Sequence, residues 1–136
     1  MDWNDTLTAL TSALGLGLLI GAVRERHHAD RIGKAGVRTH ALLALAGAIA
    51  MGFGSGTLLV LLAAVALLAL ASYRVSRDRD PGLTGEVAML VTVLLGALAH
   101  ASPALAAALG VVVAILLWAK APLRRLSREL ISESEM

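Results

Sequence analysis

One carboxylate stands inside an apolar run: Glu86 is the only charged residue between Leu83 and His100. Its oxygens could bind a cation or relay a proton, and ionisable residues in such surroundings usually face a bundle interior or a cavity. Another reading is structural. Thr84, Gly85 and Glu86 would form the first turn of a helix, where a carboxylate favours the positive helix end, and Glu86 could pair with Arg38 or Arg24. Thr39, Thr84 and Thr92 add hydroxyls. Thr84 and Thr92 share a helix face at their eight-residue spacing, whereas Glu86 sits on a different part of the surface; a threonine in a helix also commonly bonds back to its own backbone. His27-His28-Ala29-Asp30 places two imidazoles about 100° apart on a helix, a poor chelate, and reads as a solvated loop. Cysteine is absent, and no nucleophile elbow, Walker A loop or dinucleotide fingerprint occurs. No enzyme and no bound cofactor are expected. Four aromatic residues, Trp3, Phe53, Tyr73 and Trp118, are too few for a base-stacking platform.

The elements that must position these residues are spans. The 136 residues are 57% hydrophobic and 16% charged, against about 25% charged in soluble domains, and mean hydropathy is +0.76. Charge is absent from 7–23, 41–72 and 101–119. A spanning helix needs about 20 residues, with roughly 17 sufficient. The 41–72 run is too long for one span and contains Gly52-Phe53-Gly54-Ser55-Gly56, a natural turn. The expectation is an all-α integral membrane bundle, one domain of five spans at about 7–23, 39–53, 57–73, 83–101 and 103–119. The last two are divided at Ser102-Pro103. Beyond Pro122, the apolar face Leu123, Leu126, Leu130, Ile131 predicts a short amphipathic interfacial helix over about 122–131.

All 12 Lys and Arg residues follow spans one, three and five. The positive-inside rule then puts the N-terminus outside and the C-terminus inside. The net charge of +2 and pI near 9.7 are topology signals, with no continuous basic face for nucleic acid. The acidic residues ahead of 7–23 argue against a cleaved signal peptide. This orientation sets His40 and His100 at opposite membrane sides. Gly17-Leu18-Leu19-Ile20-Gly21 is a GxxxG motif for close helix packing, with Gly15, Gly47 and Gly96 extending the theme; its partner helix could lie in the same chain or in a second copy. Five short spans enclose little interior, so a homodimer is expected, twofold assemblies being the commonest.

Three segments carry a resemblance: Gly17–Arg26 (GLLIGAVRER), Gly36–Leu42 (GVRTHAL) and Asp80–Ala88 (DPGLTGEVA). Together the chain resembles the membrane domain of the MgtC/SapB family over about residues 10–126. The resemblance implies a multi-span protein of the bacterial inner membrane, with a role in magnesium homeostasis and survival under divalent-cation stress. It implies either ion transport, with Mg²⁺ as the transported or sensed ion, or a non-transporting regulator or scaffold that binds another membrane complex. Here the expectation is a minimal form without the family's soluble C-terminal domain, and Gly85 stands where relatives of this subtype read Thr. Carried over by residue, the resemblance favours Gly17, Gly21, Arg24, Glu25, Arg38, Thr39, Thr84 and Glu86. With Thr92, the polar members form a candidate inner-side cluster in the lipid bilayer, and Glu86 is the candidate metal ligand. Oxygen ligands and retained water suit Mg²⁺, so two symmetry-related Glu86 side chains near a dimer axis could hold it.

Overall fold

The computed structural model describes residues 2–27, 36–76 and 83–135, with side chains over 2–26, 36–75 and 83–119. These residues form five helices: α1 (Trp3–His27), α2 (Val37–Phe53), α3 (Ser55–Ser76), α4 (Thr84–Ala101) and α5 (Pro103–Glu135). Trp3–Arg26, Ser55–Val75 and Thr84–Ala101 are long and apolar enough to cross a membrane, and Val37–Phe53 and Pro103–Ala119 are shorter apolar helices. A 17-residue helix rises about 25 Å, just under a hydrocarbon core of about 30 Å.

The turns come where glycine and proline punctuate the chain. Gly54 alone separates α2 from α3. Its φ of +128° is a conformation that side chains rarely adopt, and its N–H caps α2 by bonding the Ala50 and Met51 carbonyls at 3.1 Å. Pro103 opens α5 at the first helical position, where a missing N–H costs nothing. One expectation is revised at the other end of this helix. The segment anticipated as a separate interfacial helix over 122–131 is the continuation of α5, which runs through Pro122 to Glu135. Proline removes one bond from the ladder, and a long helix can carry that loss without ending there.

Helices α1, α2 and α4 form the centre. α5 packs on α1 and α4, and α3 packs on α2 and α4. Gly21 meets Val37 while Gly17 meets Ala41 and Ala44, so α1 and α2 are antiparallel. Ala44 lies on Gly96 and Gly52 lies beside His100, so α2 and α4 run in the same direction. The buried cluster of Ala13, Leu16, Ile20, Ala44, Ala48, Leu95, Ala99 and Ala106 is mostly alanine.

The reason is close approach. Lipid tails are as apolar as leucine, so helices associate by packing, and small residues let backbones touch. A Cβ on Gly17 would lie 2.7 Å from the His40 carbonyl oxygen, and one on Gly21 2.5 Å from the Val37 Cα. A Cβ on Gly96 would fall onto the Ala44 carbonyl, and one on Gly47 onto that of Val93. The GxxxG motif of α1 therefore finds its partner, α2, within the same chain.

Candidate functional site

At the end of α1, Arg24 turns into the bundle. It is only 7% exposed, and its Nη1 donates to the Gly85 carbonyl oxygen at 2.8 Å. This bond ties α1 to the first turn of α4, one residue short of Glu86. Glycine at 85 leaves the guanidinium its room, since a Cβ there would stand 2.6 Å from Nη2.

Two turns further into the bundle, α2 and α4 share a second polar link. His40 is fully buried, and its Nδ1 lies 3.0 Å from the Thr92 hydroxyl oxygen. That hydroxyl donates to the Ala88 carbonyl at 2.7 Å. A hydroxyl has one proton to give, so the imidazole donates through Nδ1–H and the hydroxyl accepts. A neutral ring then presents a lone pair at Nε2, which is buried with no described hydrogen-bond partner. The expected back-bond of Thr92 is present, and its oxygen serves a second helix as well.

The carboxylates sit at helix starts. The Glu25 Oε1 lies 3.6 Å from where a Cβ of Gly36 would be, which puts its charge beside the N-terminus of α2. Gly36 supplies no side-chain cap there. Glu86 is half-buried in the first turn of α4, whose N-cap, Leu83, likewise has no side-chain cap bond. Both placements favour the positive end of a helix.

The family model of the MgtC family matches residues 10–126. The chain belongs to the MgtC family. No curated protein and no solved structure matches it. In this MgtC-family chain the matched stretch takes in the whole polar cluster, from Arg24 on α1 to Thr92 on α4.

Of the residues singled out from the sequence, the structure joins Arg24 to the backbone beside Glu86, Glu25 to the start of α2, and Thr92 to α2. Arg38 and Thr84 are exposed, and Thr39 is half-buried. The imidazoles of 27–28 and Asp30 lie outside the described side chains. His40 and His100 sit at opposite ends of the bundle. Among the described residues, no three His, Cys, Asp or Glu side chains come together as a metal-holding group.

The sequence reading named His40 only for its side of the membrane and did not anticipate its link to Thr92. It lies in the first turn of α2, directly after Arg38 and Thr39 and just ahead of the charge-free run, so it did not stand out as Glu86 did. The Gly85 carbonyl had no signal at all, since sequence does not say which backbone oxygen a buried arginine will find.

Proposed function

We propose that this MgtC-family protein serves magnesium homeostasis as a non-transporting component of the bacterial inner membrane, with its N-terminus outside. In this reading it acts on another membrane protein complex and catalyses no reaction. The observation that supports it is the packing of α1, α2 and α4. Where Gly17 and Gly21 meet α2, and where Gly47 and Gly96 join α2 to α4, there is no room for one added methyl group. A hydrated cation finds no passage between helices in such contact. Arg24, His40 and Thr92 then brace the bundle, and the basic loops favour anionic lipid at about 1 kcal/mol per nearby Lys or Arg.

Glu86 favours a second reading. It is a half-buried carboxylate on a helix of spanning length. In a homodimer two such carboxylates could meet at the axis and, with retained waters, hold Mg²⁺ for transport or sensing.

Flux of magnesium, calcium, sodium and protons in proteoliposomes separates the two. Wild type, Glu86→Gln and empty liposomes are compared, with crosslinking in native membranes to show the oligomeric state. The first reading expects folded, reconstituted protein to give no flux above empty liposomes. Divalent flux that Glu86→Gln removes, from a crosslinked dimer, would replace it with the second.

A further inference from the structure

The end of the bundle opposite Arg24 holds a cavity of about 300 Å³, open on one side. Ala9 and Leu10 of α1 and Ala48 of α2 line it within the bundle, Ala9 and Ala48 being buried, and Thr6, Phe53 and His100 line it nearer the helix ends. The polar and apolar parts are thus ordered along the helix axis. The Thr6 hydroxyl is turned to the Asp2 carbonyl at 3.3 Å, while the His100 ring has no described hydrogen-bond partner. The wall is also continuous with the outer surface of the bundle: Ile49, another lining residue, is 50% exposed and Phe53 is 80% exposed.

We propose that this cavity takes an acyl chain of a bilayer phospholipid, with the His100 imidazole hydrogen-bonded to the lipid's ester or phosphate oxygens. Three features select that occupant. A phospholipid has the same order of polarity, polar at the interface and apolar below it. The cavity opens onto the face where lipid already lies, so entry needs no passage through water. Its volume is at the lower end of the ligand-pocket range of about 300–1,000 Å³, which suits part of a flexible tail. A tail leaving the bilayer gains no hydrophobic free energy. Its preference comes from dispersion contacts with the cavity lining and from the polar contact at the mouth.

The test uses the full chain in phosphatidylglycerol nanodiscs containing a small fraction of phosphatidylglycerol with a diazirine in its acyl chain. After illumination, labelled residues are mapped by mass spectrometry. Gly52→Leu fills the cavity: a Cβ there meets the His100 ring at 3.5 Å, ordinary contact, so the fold should tolerate it. His100→Phe keeps the wall and removes the polar contact. Gly56→Leu, where a Cβ meets nothing within 4 Å, is the control. The expected result is label concentrated on α2 around Ala48–Phe53. His100→Phe should lower it about threefold, the scale of one polar contact in a membrane, and Gly52→Leu should lower it further, because it takes away the space itself. Label on α3 and in the control should stay unchanged. Even labelling of α2 and α3, or no response to Gly52→Leu, would reduce the cavity to ordinary annular lipid and overturn the proposal. So would label at the cavity that falls as two copies are loaded per disc, which would identify a second chain as the occupant.

Discussion

α2 and α3 are the two arms of one hairpin, and their sequences are close in kind. Both are rich in leucine and alanine, and each carries a single arginine near the end away from the turn, Arg38 and Arg74. Their fates differ. α2 buries His40, Ala41, Ala44, Gly47, Ala48 and Ala50. Among the described residues of α3 only Val65 and Ala69 are buried, and Leu59, Val60, Leu67 and Leu68 are each more than 60% exposed. Apolarity cannot sort these arms, because lipid accepts both. Size and polarity sort them. α2 goes to the centre through small residues that admit a neighbouring backbone, together with one imidazole that needs a partner, while α3 turns its large side chains outward.

The strongest way to break this contrast is to add bulk where backbones touch. Gly47→Ala pushes a methyl group onto the Val93 carbonyl, and overpacking of this kind costs about 3 kcal/mol. Gly56→Ala and Leu67→Ala on α3 should each stay within about 0.5 kcal/mol of wild type. Unfolding in mixed micelles measures all three. A Gly47→Ala protein as stable as wild type would mean that α2 and α4 are not in backbone contact.

The polar links come next. Arg24→Met removes a charged donor and leaves the Gly85 carbonyl in the bundle, a loss of about 2 kcal/mol. An unchanged melting curve would show that the guanidinium does not hold α1 to α4. Thr92→Val keeps the shape and removes the acceptor for His40, for about 1 kcal/mol, whereas Thr92→Ser should restore most of it. The assigned proton position is checked directly by ¹⁵N NMR of the His40 ring. Wild type and Thr92→Ser should report a protonated Nδ1. A wild-type spectrum with the proton on Nε2 would reverse the direction of the bond.

Much of the fold was legible because membrane spans obey coarse rules. Charge-free runs located the helices, and the glycines at 52–56 and Pro103 marked the turns. The turn is tighter than the run of glycines suggested, since one residue, Gly54, suffices once its φ is positive. The GxxxG motif announced close packing but could not name α2 as the partner, because any helix presents a backbone. The site was legible at Arg24, Glu25 and Thr92, where charges or hydroxyls adjoin apolar runs. It was illegible where the partner is a backbone atom, as at Gly85 and Ala88, and where a residue with two ring nitrogens hides in an apolar helix, as at His40. Pro122 misled, because a proline that often ends a helix in water is tolerated within α5.

The smallest expected effect also bears on why α2 is held and α3 is not. Glu25, exposed on α1, places its carboxylate beside the uncapped start of α2, whereas α3 has no acidic residue in its first turn. The interaction is between a charge and the exposed N–H groups of a helix end, so it is worth about 0.5 kcal/mol at low salt. Glu25→Gln keeps the side-chain length and removes the charge, and it should lower stability by that amount. The loss should shrink at 1 M salt, where the screening length falls to about 3 Å. Ser55→Asp supplies the missing charge to α3 and should raise stability by a similar amount under the same low-salt conditions. A Glu25→Gln penalty that is indifferent to salt would make the contact one of packing or hydrogen bonding. The advantage of α2 would then rest on its small residues and His40 alone.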